Sequence, residues 1–211
     1  MIIDKNKIKL WSSIGSRASF GLAAFEIAKN NNKLMIVTAD VSTSAGLDRY
    51  KKKYPNNYVD VGIGEQNMMS VASGLASEGF DVITTTFSPF QTLRCAEQIK
   101  VNLGYMKNKV VMVGLASGLI LGNLGFTHCS IEDIGILRSI PNLTIISPAD
   151  SFETVKAVLC LLLFESVMSF SFILLNLFFR GLVRSTLQKI AFLSLCALAQ
   201  CHYQVTAMQS K

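Results

Sequence analysis

Residues 58–87 read YVDVGIGEQNMMSVASGLASEGFDVITTTF. The stretch opens on a short strand, Tyr58–Val61, and turns on Gly62 and Gly64, which let the chain fold tightly and let a ligand come close to the backbone. A helix is expected from Glu65 to about Ser77, stopping before Gly79. The β-branched run Val82–Thr86 then reads as a second strand. Strand, turn, helix and strand within 30 residues form a β-α-β unit, which brings the two strands parallel.

The same alternation extends in both directions. Upstream, Ser16 can cap a helix running to about Lys29, with Phe20, Ala24 and Ile27 on one face. Leu34–Thr38 (LMIVT) is a buried-type strand. Downstream, Phe90 to about Leu103 reads as helix, Val110–Val113 as strand and Ile131–Ile140 as a short helix ended by Pro141. Leu143–Ile146 follows as a strand, and Ser151 caps a last helix. Apolar strands alternating with helices imply an α/β fold: a doubly wound, mainly parallel sheet with helices on both faces. Ligands of such sheets sit at the carboxyl ends of the strands. That places Ala39–Gly46, Gly62–Asn67, Thr86–Phe90, Gly114–His128 and Ser147–Asp150 at the site.

Composition narrows the class. The chain has 211 residues, half of them hydrophobic and 16% charged, which excludes a disordered protein. The net charge of +6 is scattered, with no basic stripe interleaved with aromatics, so nucleic acid is not an expected partner. Cys95, Cys129, Cys160, Cys196 and Cys201 show no CxxC spacing and no disulfide framework, which fits a reduced, cytoplasmic protein. The opening MIIDKNKIKLW is too polar for a signal peptide.

A compositional break falls near residue 158. Residues 159–211 hold one acidic residue (Glu165), one glycine (Gly181) and three of the five cysteines. Residues 1–158 are therefore expected to be the domain, and 159–211 an atypical apolar tail. Leu159–Phe179 is 21 residues long, and about 20 apolar residues span a bilayer, but Glu165 inside it argues against a membrane helix. A helix packed on the domain is a second explanation. Out-of-frame or remnant sequence is the preferred one, because Gly, Asp and Glu are lost together.

Several segments have the residue types for chemistry. Glu65, at the start of its helix, is either a carboxylate favoured by the helix N-terminus or one poised to share a proton with a bound heterocycle. Phe87 and Phe90, just past a strand, are either core or a wall on which a flat ring stacks. Gly114, Gly118, Gly122 and Gly125 lie in a loop ending at Thr127-His128. No Gly-Lys-Ser/Thr follows, which excludes a P-loop, and GxGxxG is absent. Two histidines and no cysteine pair leave no structural zinc site. Arg17 is a solvated charge or a holder of a substrate phosphate.

Taken together, SRASFGLAAFEIAK, ADVSTSAGL, GIGEQNMMSVASGLASEGF, TTTFSPFQTLRCAEQIK and VGLASGLILGNLGFTHCSIEDIGILRSIPNLTIISPAD resemble the pyrimidine-binding domain of transketolases. The likeness is greatest to the separately encoded C-terminal transketolase subunit of bacteria and archaea. It covers residues from about 10 to 158 in family order. The resemblance implies the thiamine-diphosphate-binding fold of the pyrimidine-binding type. It also implies transfer of a two-carbon ketol unit between sugar phosphates with thiamine diphosphate and Mg²⁺. Glu65 matches the glutamate that hydrogen-bonds the aminopyrimidine ring nitrogen and is the expected catalytic residue together with His128. Phe87 and Phe90 match the aromatic pocket of the pyrimidine; Asp40 and Gly62 lie beside the cofactor, and Leu93 stands where a third aromatic is often found. His128 and Arg17 match residues facing the sugar phosphate.

The resemblance also implies what lies on other chains. The Gly-Asp-Gly and Asn that hold diphosphate and Mg²⁺ in this superfamily do not occur here, so no metal ligand is expected on this chain. A separate N-terminal subunit carrying the diphosphate-binding domain is the expected partner, in a hetero-oligomer. Leu124 stands where many transketolases have an acidic residue four places before the histidine, which separates this chain from the usual hydroxyl recognition. Two alternatives stay open. One is a truncated, non-catalytic subunit that only binds a partner. The other is an enzyme like the deoxyxylulose-phosphate synthases, which usually carry histidine where Asn67 stands.

Overall fold

The computed structural model describes residues 5–163 and 170–175. Within them, six parallel strands form one sheet: β1 (Leu34–Thr38), β2 (Tyr58–Asp60), β3 (Asp81–Phe87), β4 (Val110–Leu115), β5 (Leu143–Ile146) and β6 (Phe170–Leu175). Their spatial order is β2-β1-β3-β4-β6-β5, and every described pairing is parallel. All residues of β1 and β4 are buried. Strands covered on both faces need continuous apolar runs, and LMIVT and VVMVGL supply them.

The period of two divides these runs between two cores. On one face, Ile36, Ile83 and Val113 pack with Phe20, Tyr50 and Val155 from α1 (Lys5–Ala28), α2 (Asp48–Lys53) and α7 (Ser151–Leu163). On the other face, Met35, Val37 and Met112 meet Met68, Leu103 and Leu137. These come from α3 (Glu65–Ser77), from a wide π-helical segment, Ile99–Tyr105, and from α6 (Asp133–Leu137). The chain leaves β1 through α2 on the first face and returns from β2 through α3 on the second. The carboxyl ends of β1 and β3 therefore flank a topological switch point, where such sheets bind ligands.

Besides α2, which was not expected, and α6, shorter than the 131–140 expected, three stretches differ from the expectations. The helix expected from Ser16 is the second part of a longer one: α1 begins at Lys5 and is broken at Gly15, whose φ of 79° and ψ of 164° are non-helical. Glycine takes that conformation cheaply, and the Ser19 hydroxyl donates to the Trp11 carbonyl across the break (3.2 Å). The helix expected over 90–103 is split. α4 (Ser88–Thr92) ends, and α5 (Ala96–Gln98) restarts before the π-helical segment. Within α4, the Thr92 hydroxyl donates to the Ser88 carbonyl (2.8 Å), a bond that competes with the helix ladder and favours a bend. Finally, α7 runs through the boundary expected at residue 158, and Phe170–Leu175 is a strand inserted between β4 and β5. The stretch Leu159–Phe179 thus contains the end of α7 and then β6. Among the described residues, no helix is long and apolar enough to cross a membrane. Residues 164–169 and 176–211, which carry most of the expected remnant tail, lie outside the described residues.

Candidate active site

At the switch point the Gly62–Gly64 turn delivers Glu65 as the first residue of α3. Gly62 has φ 71°, a left-handed value suited to glycine. The Asp60 carboxylate accepts hydrogen bonds from the Gly62 N–H (3.1 Å) and the Asp40 N–H (2.9 Å). The ends of β1 and β2 are thereby tied together. Asp40 itself sits at φ 56° and is exposed.

The Glu65 side chain is only 4% exposed and accepts a hydrogen bond at Oε2 from Arg94 Nη1 at 2.7 Å. A buried carboxylate without a cation or hydrogen-bond donors is costly; the helix N-terminus and Arg94 together supply the compensation. The Arg94 guanidinium carbon lies 4.3 Å from the centre of the Phe90 ring. Gln66 Nε2 donates to the Arg94 carbonyl (3.1 Å), so consecutive residues of α3 hold both the backbone and the side chain of Arg94.

Phe90 is the hub of the aromatic group. Its ring meets Phe87 edge-on at 6.4 Å and His128 edge-on at 5.2 Å. Glu65, Arg94, Phe90, Phe87 and His128 thus form one connected set, lined up from buried carboxylate to partly buried imidazole. His128 reaches it because the loop after β4 is closed on itself. Gly118 and Ser130 exchange two backbone hydrogen bonds (3.0 and 2.9 Å), and the His128 Nδ1 pairs with the Thr127 hydroxyl (3.0 Å). Arg17 does not join this set. It is exposed on α1 and makes no ion pair among the described residues. Leu93, at the expected third aromatic position, is half exposed.

Beneath the loop lies a buried polar knot that no local sequence pattern announces. The Asp133 carboxylate accepts from the Ser117 hydroxyl (2.6 Å) and the Ser88 hydroxyl (3.1 Å) on one oxygen. Its other oxygen accepts from the Ile134 N–H (2.7 Å), and the Ser130 hydroxyl donates to Ser88 (3.2 Å). The knot joins the end of β3, the end of β4 and the start of α6. Asp133→Asn places an amide where two hydroxyls donate. It is expected to lower stability by about 1–3 kcal/mol, read as a fall in the urea midpoint. An unchanged midpoint would show that the hydroxyls do not depend on the charge.

Arg94 is a second residue that the sequence did not single out. Its signal is the spacing Phe90–Arg94, one helical turn, which stacks a cation on a ring. Cys95, next to it, is buried, and its Sγ donates to the Phe90 carbonyl (3.3 Å). Burial pushes its thiol up to about 12, helped by the negative charge of Glu65 and opposed by Arg94. Because the thiolate is the reactive form, iodoacetamide at pH 8 is expected to leave Cys95 unlabelled in the native protein and to label it after denaturation. Peptide mass spectrometry distinguishes the two; rapid native labelling would contradict the burial.

No group of three or more His, Cys, Asp or Glu placed to hold a metal occurs among the described residues. For an aminopyrimidine, the fit is favourable. The buried Glu65 carboxylate already accepts from a flat nitrogenous donor stacked on Phe90, which is the chemistry such a ring would present.

Known proteins share this arrangement of strands and helices. The family "Transketolase, pyrimidine binding domain" matches residues 12–171. An apulose-4-phosphate transketolase subunit of Phocaeicola vulgatus is 36% identical over 145 residues, 69% of this chain and 46% of that protein. The 1-deoxy-D-xylulose-5-phosphate synthase of Prochlorococcus marinus is 38% identical over 134 residues, 64% of this chain and 20% of that protein. A split-gene transketolase solved as an inactive beta4 tetramer superposes with a TM-score of 0.67 at 31% identity, covering 77% of this chain and 51% of that one. The chain therefore spans at most about half of these relatives. With the family match covering most of its length, over a parallel sheet that carries Glu65, Phe87 and Phe90 at its carboxyl edge, the chain belongs to the transketolase pyrimidine-binding-domain family.

Proposed function

We propose that this chain supplies the pyrimidine-side half of a thiamine diphosphate site in an enzyme that transfers a two-carbon ketol unit between sugar phosphates. The observation that carries the reading is the Glu65 carboxylate, buried at the start of α3 and facing a flat cation stacked on Phe90. The bound cofactor supplies the means of holding the two-carbon fragment between donor and acceptor. Glu65 holds a proton at the pyrimidine ring nitrogen. Phe87 and Phe90 grip the ring face and keep water from it. Asp40 and Gly62 border the ring at the neighbouring strand end. His128 moves or holds a proton at the sugar hydroxyls, and Arg17, at the exposed rim, meets the phosphate.

Diphosphate and Mg²⁺ are held by a separate N-terminal subunit, a division supported by a relative named as one subunit of a transketolase and by the split-gene transketolase. The rim supports this too. Ile63, Leu93, Leu119, Leu124, Phe126 and Ile131 stand in the turn and loops that carry Glu65, Phe90 and His128, and all six are exposed. An apolar border of this kind is what a partner covers. On this reading the working protein is a cytoplasmic hetero-oligomer.

Calorimetric titration tests the assignment. Thiamine diphosphate with Mg²⁺ is expected to bind the complex of this chain with a diphosphate-binding subunit, and the complex is expected to transfer two carbons from a ketose phosphate to an aldose phosphate. A stable complex that takes up no cofactor would sink the reading. The synthase relatives favour a second reading; 1-deoxy-D-xylulose 5-phosphate as the product would select it.

A further inference from the structure

The Arg94 side chain is 45% exposed, yet its guanidinium reaches a carboxylate that is 4% exposed. It does so by lying over the Phe90 ring. A guanidinium is planar, donates N–H bonds in its own plane and stacks on aromatic faces. An aminopyrimidine offers the same three features: a flat face, in-plane donors, and a fit between a carboxylate and a ring. Both therefore compete for Phe90 and for Glu65 Oε2.

We propose that Arg94 is a built-in placeholder for the cofactor's pyrimidine ring. In the empty subunit it pairs with the Glu65 carboxylate and holds it aimed, and it covers the face of Phe90. On cofactor entry it swings outward into solvent or toward the partner chain. The inference rests on the proposed role of Glu65 as the pyrimidine-binding carboxylate.

The fold is built for such a movement. Arg94 lies in the break between α4 and α5, so its side chain is not packed in a helix ladder. Its backbone is anchored separately by Gln66, so the guanidinium can leave while the segment stays in place. The pairing has a cost, because each cofactor molecule must first displace Arg94. The apparent dissociation constant is raised by the reciprocal of the fraction of subunits in which the pocket is open.

The test is a binding measurement on the complex with the diphosphate-binding subunit, by calorimetry with thiamine diphosphate and Mg²⁺. Arg94→Met keeps the length of the stem and removes the competing fork. It is expected to bind cofactor about fivefold or more tightly than the unmodified complex. Unchanged or weaker binding would overturn the placeholder. Should Arg94→Met not fold, as judged by circular dichroism, Arg94→Leu likewise removes the competing donor and carries the same expectation of tighter binding, with the same overturning result. Glu65→Ala in the same titration separates the two ideas. If it leaves cofactor affinity unchanged, the reading of Glu65 itself fails, whatever Arg94 does. If it weakens binding while Arg94→Met does not tighten it, only the placeholder fails.

Discussion

Glu65→Gln is expected to remove turnover from the reconstituted complex while leaving the fold and the subunit association intact. Glutamine matches glutamate in shape and keeps one carbonyl acceptor, so the start of α3, with Met68 and Met69 buried in its next turn, need not move. What is lost is the charge and the ability to hold a proton. The amide cannot take a proton from a ring nitrogen, and its N–H₂ group points a donor at Arg94 where a carboxylate oxygen accepted at 2.7 Å. A positioned acid–base group is worth about 10²–10⁴ in rate, and the buried position of Glu65 leaves water little access to substitute for it. The measurement is steady-state ketol transfer in the complex, with circular dichroism and size exclusion as controls. Activity near that of the unmodified complex would remove Glu65 from the mechanism.

Gly21→Ala is expected to destabilise the chain by about 3 kcal/mol or more, lowering Tm by about 6–12 °C. Helix propensity alone predicts the opposite, since alanine in a helix interior is favoured over glycine by about 1 kcal/mol. Tertiary geometry reverses the sign. A Cβ on Gly21 would lie 2.1 Å from the Gly46 carbonyl oxygen, 2.6 Å from its carbon and 3.1 Å from the Ala45 oxygen. These are backbone atoms and cannot rotate away. Gly46 is itself at φ 71°, and a Cβ there would come within 3.2 Å of the Ala18 Cα. Two glycines thus let α1 lie directly on the loop that follows β1, the loop that carries Asp40. Displacing it moves Asp40 as well, so under the role proposed for Asp40 cofactor affinity is expected to fall with stability. Differential scanning calorimetry reads the first effect; an unchanged or raised Tm would mean that α1 and the loop can separate at no cost.

Much of the fold was legible because its signals are local. LMIVT at 34–38 and LTII at 143–146 are strands at the expected bounds, and α3 occupies 65–77 as its glycine turn and amphipathic run require. Glu65, Phe87, Phe90 and His128 could be singled out because they stand in the segments that follow strand ends, and the structure brings those four into one connected set. Arg17 and Asp40 lie apart from it in the described contacts. The split of the helix over 90–103 was not legible, because it depends on a hydroxyl competing with the ladder at Thr92 and on Gln91, whose Nε2 is buried against the Thr84 hydroxyl at 2.6 Å. β6 was not legible either: an apolar run such as FSFILL suits a strand or a helix equally, and its place between β4 and β5 is set by neighbours distant in sequence.

Read along the chain, the sequence gives a parallel α/β sheet and puts Glu65 first in a helix that follows a strand and a glycine turn. Hydrophobic period and turn chemistry act over a few residues, so they can be read along the chain. The folded structure adds what no local pattern holds: that Arg94 pairs with Glu65, that Asp133 gathers Ser88 and Ser117, and that Gly21 must remain glycine. The Arg94–Glu65 pair and the Asp133 contacts join groups 16 to 45 residues apart, and Gly21 faces a second backbone. Their free energies depend on burial and distance, which exist only once both faces of the sheet are covered.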